Sequence, residues 1–265
     1  MNQKHIEKEL LSVIKAEGAF LNANEHAKVS KWQEKIEKYV PEKLNGTLEA
    51  AFVKAFDFIF EKGTVVIEKT YNREKKEQDY KIDEYAVEVR NNRRSIKAFG
   101  RKANVGKNLN MAISTVEGVG LGLLGMGLPD IPVFISVLLK SIYEIALTYG
   151  FSYDSTEEKI FILKMIETSL SHEKQLFDGN VELNSWLKEP TAFSVTLEAQ
   201  IKKTAKALAT EMLYLKFVQG IPVVGVVGGV SDMVYQKKIT DYAAIKYKRR
   251  FLESKRECTT VKDEQ

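Results

Sequence analysis

Apolar residues recur at intervals of three and four along most of the chain, which places them on one face of an α-helix. Residues 3–21 show this pattern with Ile6, Leu10 and Phe20, separated by Lys and Glu. The same spacing predicts further helices at about 30–40, 43–62, 155–170 and 190–217. The short run 65–67 suits the start of a strand, and the charged residues 71–84 predict a surface connection or an exposed helix. Because helical periods dominate, we predict an all-α fold in a single domain.

Glycine is concentrated in two apolar segments. Nine of the 16 glycines fall in the windows 118–127 and 220–229. The stretch 118–139 contains one charge, Asp130, and is long enough to cross a bilayer as a helix. Two prolines interrupt it, however, and a carboxylate near the middle of a bilayer costs about 2.5 to 3.5 kcal/mol. We therefore favour an apolar helix at 131–149, with Asp130 at its N-cap and Gly150 at its end.

The clustered glycines need a reason, because each weakens a helix in water by about 1 kcal/mol relative to alanine. Glycines four residues apart let two helix backbones approach closely. One interpretation is that the two segments pack together around the central apolar helix. The other is that they insert into or against a bilayer. The close-packing candidates are Gly118, Gly122, Gly225 and Gly229.

The composition, 44% hydrophobic and 29% charged, is that of a soluble folded protein. A single cysteine, Cys258, excludes an intramolecular disulfide and a cysteine-ligated zinc site. The three histidines lack metal-ligand spacing, so we expect no bound metal. Pro129 would end the helix after the G-x-G-x-x-G at 120–125, so we expect no nucleotide or other cofactor. The N-terminal sequence shows no secretory signal, and we expect a cytoplasmic protein.

Basic residues flank the glycine-rich segments. Seven Lys and Arg residues at 90–107 have no acid among them, and a second basic segment follows residue 229. Basic residues beside anionic lipid gain about 1 kcal/mol each, whereas charge runs in general form solvated helix faces, and both interpretations stay open. We do not expect nucleic acid as a partner, because the net charge is only +4 and no recognition motif is present. The candidate lipid contacts are Arg90, Arg93, Arg94, Lys97, Arg101, Lys102, Lys248, Arg249 and Arg250.

A polar stripe crosses the apolar helix at 131–149, with one member every four residues. These candidates for lining a ligand pocket are Ser136, Lys140, Glu144 and Thr148. Burial raises the pKa of a carboxyl group and suits it to acid–base catalysis. The acids within the apolar segments, and hence the catalytic candidates, are Asp130, Glu144 and Asp232. The alternative is that Asp130 caps its helix, Glu144 pairs with Lys140 and Asp232 faces water.

Two segments carry a distinctive combination of motifs. Residues 125–163 read GMGLPDIPVFISVLLKSIYEIALTYGFSYDSTEEKIFIL, and residues 220–252 read GIPVVGVVGGVSDMVYQKKITDYAAIKYKRRFL. These segments resemble the EcsC protein family of bacteria in two motifs. The first is an acid before an apolar helix that ends in EIALTYG, and the second is a PVVG segment that leads to an alanine and an arginine. Lys140 stands where the family has an arginine, and Asp232 where an asparagine is common. The resemblance covers roughly the second half of the chain. We expect N-terminal helices at 1–90, a family-like core at 91–255 and a disordered tail at 256–265.

The resemblance also implies a function, because the family is named from a gene beside an ABC transporter. It implies a membrane-associated accessory or regulatory protein that acts through protein or lipid contacts at the inner face of the membrane, with an anionic membrane surface or a membrane transporter as partner. The alternative is an enzyme or small-molecule binder with a polar pocket around Asp130, Lys140 and Glu144. No pattern in the sequence assigns a reaction or a ligand.

Overall fold

The computed structural model describes residues 2–25, 42–112, 130–189, 193–218 and 230–263, and the regular structure within these ranges is entirely helical. This confirms the predicted all-α fold. The helices are α1 (Gln3–Glu25), α2 (Glu42–Phe58), α3 (Thr64–Glu68), α4 (Arg73–Arg90), α5 (Arg93–Ala112), α6 (Asp130–Thr148), α7 (Thr156–Leu170), α8 (Glu173–Lys188), α9 (Leu197–Val218) and α10 (Val230–Asp263). The predicted helix at 30–40 lies outside the described residues.

Helix α6 corresponds to the apolar helix predicted at 131–149, and it packs against α2, α4, α5 and α10. Leu138, Leu139 and Ile142 are completely buried, because apolar residues occupy most faces of this helix. The window Ile131–Thr148 is long and apolar enough to cross a membrane, with a mean hydropathy of 1.7, yet 72% of it is buried inside the protein. That burial is typical of a core helix. The glycine-rich segment before it lies outside the described residues.

Gly150 ends α6, as the sequence predicted. Its φ of 81° lies in the left-handed region, and the amide of Phe151 donates a hydrogen bond of 3.0 Å to the carbonyl oxygen of Ala146. A Cβ at position 150 would lie only 2.3 Å from Cζ of Tyr80. Glycine is therefore required here both by the backbone conformation and by the close approach of α4.

The expected strand at 65–67 is wrong, because these residues belong to α3. The chain enters α3 from α2 through a π-helical turn, Ile59–Gly63, without leaving the helical conformation. The hydroxyl of Thr64 supports this turn by donating a hydrogen bond of 3.0 Å to the carbonyl oxygen of Ile59. A short β-branched run therefore stays helical where the neighbouring turns are already helical.

Two further segments differ from, or sharpen, the sequence interpretation. Residues 71–84 fall mainly in α4, so the exposed helix is the correct alternative. The side chain of Asn72 caps α4 by accepting a hydrogen bond of 2.8 Å from the amide of Lys75. Helix α10 continues to Asp263, and the disorder expected at 256–265 stays a prediction.

Helix α8 was not predicted, although its buried side chains follow a helical period. They are Leu176, Asn180, Leu183, Trp186 and Leu187. Because Asn180 on this stripe is polar, a search for apolar positions does not detect the helical period. The side chain of Asn180 instead accepts a hydrogen bond from Lys246 of α10.

A buried polar cluster joins α1, α8 and α10. Glu17, which is 4% exposed, lies 3.3 Å from Nζ of Lys246 and accepts two hydrogen bonds of 3.0 Å from Nη1 of Arg249. Lys246 is fully buried and also donates to the side-chain oxygens of Asn180 and Asn184, at 2.5 and 2.7 Å. Burial lowers the pKa of Lys246 to about 8, against the attraction of Glu17, so the ammonium is still mostly protonated at neutral pH. The cluster therefore holds three helices together through charged groups.

Replacing Glu17 tests how much the fold depends on this cluster. We expect Glu17→Ala to lower the free energy of unfolding by about 3 to 5 kcal/mol, because Lys246 and Arg249 would stay buried without that carboxylate. Urea denaturation followed by circular dichroism measures the change. The matched control is Glu7→Ala on the exposed face of α1, which should change stability by less than about 0.5 kcal/mol. Equal stabilities for the two variants would contradict the assignment.

A basic cleft as the candidate functional site

A cleft of about 470 Å³ opens between α1, α5 and α10, beside the residue that follows α6. Three basic side chains, Lys97, Arg101 and Lys248, and two acidic ones, Glu9 and Asp241, line it. We call this cleft the basic cleft. Its volume lies within the range of small-molecule sites, roughly 300 to 1,000 Å³.

Helical spacing brings the lining residues to the basic cleft. Lys97 and Arg101 are four residues apart on α5 and therefore share a face. Asp241, Ala244 and Lys248 follow each other at intervals of three and four on α10 and share a face in the same way. Each helix turns one stripe of side chains towards the cleft and another towards the core.

Small residues create the space inside the basic cleft. Ala16 of α1, Gly100 of α5 and Ala244 of α10 all line it. A Cβ at position 100 would lie 3.4 Å from Cε of Lys248 and 3.5 Å from the hydroxyl oxygen of Tyr149. A longer side chain at this position would therefore occupy the space between these two groups.

The two carboxylates of the basic cleft already have basic partners. Glu9, which is 1% exposed, accepts hydrogen bonds from Nε of Arg93 at 2.8 Å and from Nζ of Lys248 at 3.2 Å. Asp241 accepts a hydrogen bond of 2.6 Å from Lys237. The acidic charge that lines the cleft is thus compensated from within the protein.

Lys97 and Arg101 are the uncompensated charges of the basic cleft. Both side chains are exposed, and neither forms a hydrogen bond or ion pair with any residue in the described ranges. Because the neighbouring acids are compensated, the cleft carries an excess of positive charge.

Tyr149 adds a neutral hydroxyl group to the basic cleft. The residue is 2% exposed, and its ring packs against Phe99 and Phe251, with centroid distances of 5.6 and 6.0 Å. Its hydroxyl has no hydrogen-bond partner in the part of the chain that the structure describes. Burial raises the pKa of Tyr149, so the hydroxyl keeps its proton and can donate a hydrogen bond. Two cations and a neutral donor around one space can bind an oxyanion.

Arg249 and Arg250, two of the three C-terminal candidates for lipid contact, are paired with acids of the protein. Arg249 is 9% exposed and bonds to Glu17 and Glu253. Arg250 donates two hydrogen bonds, of 3.0 and 2.7 Å, to Glu158, and its guanidinium carbon lies 4.0 Å from the ring centre of Phe151. Arg249 is buried and Arg250 is partly buried in these contacts, and lipid contact by either side chain stays a prediction. Lys248 differs from them because it reaches the basic cleft.

The basic residues predicted on the N-terminal side remain on the surface. All are exposed, and they are Arg90, Arg93, Arg94, Lys97, Arg101 and Lys102. Arg93 contacts Glu9, and Lys102 donates to both oxygens of Asp83, at 2.6 and 2.7 Å. Arg90 and Arg94, like the two cleft cations, have no acidic partner among the described residues.

The polar stripe of α6 does not line the basic cleft. Ser136 and Thr148 donate hydrogen bonds of 2.7 Å to carbonyl oxygens of their own helix. Glu144 is buried, and its carboxylate lies 3.4 Å from Nζ of Lys76 on α4. Lys140 is partly exposed. The pocket predicted around this stripe stays a prediction.

Several predicted positions lie outside the described residues. The side chains of Asp130 and Asp232 are among them, although their backbones begin α6 and lie near the start of α10. The close-packing glycines Gly118, Gly122, Gly225 and Gly229 are not described at all. Their proposed packing, and a catalytic role for either acid, remain predictions.

Within the described ranges, no group of three His, Cys, Asp or Glu side chains is arranged to hold a metal ion. His172 forms a two-residue contact, in which its Nε2 lies 2.7 Å from a carboxylate oxygen of Glu211. The expectations of no metal and no cofactor stay predictions.

Sequence reasoning missed Glu9, and it did not connect Tyr149 with the basic residues. A signal for Glu9 was present, because Glu9 and Glu17 lie on the buried face of α1 with Ile6, Leu10 and Val13. An acid on such a face requires basic partners from elsewhere in the chain. For Tyr149 no local signal exists, since its neighbours in the cleft come from other helices.

The described residues form an all-α protein with the basic cleft on its surface. Comparison with known proteins assigns its family. A family model described as the EcsC protein family matches residues 5–252 of the 265-residue chain. The chain therefore belongs to the EcsC protein family, and the match extends into the N-terminal helices, beyond the two segments that carry the sequence resemblance. Neither the curated proteins nor the solved structures contain a match.

Two tyrosine variants test the assignment of the Tyr149 hydroxyl. We expect Tyr149→Phe to change the free energy of unfolding by less than about 0.5 kcal/mol, because the hydroxyl has no partner in the described chain. The matched variant is Tyr247→Phe, which removes a fully buried hydroxyl that donates to Glu158 at 2.7 Å. It should cost about 1.5 to 3 kcal/mol. Thermal denaturation measures both, and an equal loss in the two variants would show that Tyr149 is bonded within the protein.

Proposed function

We propose that this EcsC-family protein is a membrane-associated accessory or regulatory protein, which binds the anionic inner face of the membrane beside a transporter of the ABC type. The observation that carries the proposal is the exposure of the basic residues around the α4–α5 junction. Arg90, Arg94, Lys97 and Arg101 have no acidic partner in the described ranges. Each such residue gains about 1 kcal/mol near an anionic lipid surface.

An exposed apolar stripe on α4 supports the same proposal. Ile82, Tyr85 and Val89 are 64%, 69% and 64% exposed, and their spacing of three and four residues places them on one face. Helices that lie in the membrane interface combine apolar side chains with Lys and Arg. Exposed apolar side chains so close to a basic segment supply the hydrophobic part of such a contact.

Vesicle flotation tests the proposal with the full chain. At low salt, the protein should float with vesicles that contain phosphatidylglycerol, and it should stay behind with vesicles of phosphatidylcholine alone. Raising the salt concentration should weaken the interaction, because screening shortens the range of exposed charges. Protein that remains in the soluble fraction with anionic vesicles at low salt would overturn the proposal.

A charge-neutralised variant identifies the surface. We expect the fourfold variant Arg90→Gln, Arg94→Gln, Lys97→Gln and Arg101→Gln to partition onto anionic vesicles about a thousandfold less than the unchanged protein. The control removes the same charge elsewhere, by Lys→Gln at four exposed positions. These are Lys174, Lys188, Lys203 and Lys206. An equal loss in both variants would show that net charge, and not this surface, drives the association.

A further inference from the structure

We infer that the basic cleft is a binding site for the phosphate group of a small ligand, held by Lys97, Arg101 and Lys248 and by the hydroxyl of Tyr149. A phospholipid headgroup and a soluble phosphate ester present the same chemistry to these side chains. If the phosphate belongs to a lipid, the inference deepens the proposed membrane association and rests on it. If the phosphate belongs to a soluble ester, the inference does not depend on the proposed function. The cleft itself is argued from its own geometry.

The charges of the cleft point to an anion. Glu9 binds Arg93 and Lys248, and Asp241 binds Lys237, so neither acid is left to compensate the remaining cations. Lys97 and Arg101 repel each other at a spacing of four residues on α5. A bound oxyanion relieves this repulsion, and its hydrogen bonds to charged donors are about twice as strong as neutral ones.

Tyr149 is the second, independent observation. The Tyr149 side chain is 2% exposed, and its hydroxyl, which has no partner among the described residues, is open to the cleft and available to a ligand. This hydroxyl lies in the cleft wall, close to Gly100 and to the aliphatic end of Lys248. An oxygen atom of a ligand in the cleft would accept its hydrogen bond. The ring contacts with Phe99 and Phe251 fix the position of the hydroxyl oxygen before any ligand arrives.

The shape of the cleft suits a phosphate that is attached to a further group. Bare phosphate would fill only part of about 470 Å³. Val13, Phe20 and Ile245 supply an apolar part of the wall. The site therefore fits a phosphate ester whose remaining portion, such as a glycerol unit with or without an acyl chain, lies against these side chains.

Titration calorimetry on the full chain tests the inference and separates the two sources of phosphate. The probes are glycerol 3-phosphate, dihexanoyl phosphatidylglycerol below its micelle concentration, and glycerol as the control without phosphate. We expect saturable binding of at least one phosphate probe and no binding of glycerol. Binding of the lipid alone assigns the lipid source, and binding of glycerol 3-phosphate alone assigns the soluble source. Absence of binding for both phosphate probes overturns the inference.

Three variants locate the binding. Tyr149→Phe should weaken binding of the phosphate probe by about tenfold while the protein stays folded. The double variant Lys97→Gln and Arg101→Gln should weaken it by about tenfold or more, whereas Lys203→Gln with Lys206→Gln on α9 removes the same charge far along the sequence and should leave it unchanged. Gly100→Leu should abolish binding by filling the space, provided that its thermal unfolding remains cooperative. Phosphate binding that is unaffected by Tyr149→Phe overturns the assignment to this cleft.

The outcome can be told apart from that of the proposed function. Saturable binding of glycerol 3-phosphate without vesicle flotation would keep the cleft assignment and overturn membrane association. Flotation that depends on the four basic residues, together with no binding of either phosphate probe, would keep membrane association and overturn the cleft assignment.

Discussion

The buried carboxylate of Glu17 is the contact on which the arrangement around the basic cleft depends. It holds Lys246 and Arg249 of α10 against α1, in surroundings where one unpaired charge would cost several kcal/mol. Because this contact fixes how α1 and α10 lie along each other, Glu9, about two helical turns before Glu17, meets Lys248, which follows Lys246 by two residues. The cleft is the space that remains beside these contacts, where the facing side chains are small.

The basic residues of α10 show why a charge count does not define a surface. Consecutive residues turn by about 100° around a helix axis, so neighbours in the sequence face different parts of the protein. Lys246 and Arg249 face the buried acid of α1, Arg250 faces an acid of α7 and several aromatic rings, and Lys248 faces the cleft. The basic run around α5 behaves differently, because acids contact only some of its members and the others face solvent.

Features that depend on neighbouring residues were predicted well. The apolar period of α6 and the left-handed glycine at position 150 act within a turn or two of helix, and the predicted boundaries differ from the observed ones by one residue. The basic cleft depends on contacts such as that between Glu9 and Lys248, which are 239 residues apart. No local period records such a contact. The acids on the buried face of α1 indicate only that a basic partner is needed, and they do not say which one.

Three features of the basic cleft do not contribute to the stability of the protein alone. Gly100 costs about 1 kcal/mol in a helix interior relative to alanine, yet a Cβ there would meet its nearest neighbour only at 3.4 Å. Tyr149 presents to the cleft a hydroxyl that has no partner in the described chain, and Lys97 and Arg101 repel each other on α5. Alanine at position 100 and an acid near the two cations would each be more stable choices, and phenylalanine at position 149 would be about equally stable. Places where local choices disagree with stability are often functional sites, and here a single phosphate would use the space beside Gly100, accept the hydrogen bond of Tyr149 and compensate the two cations.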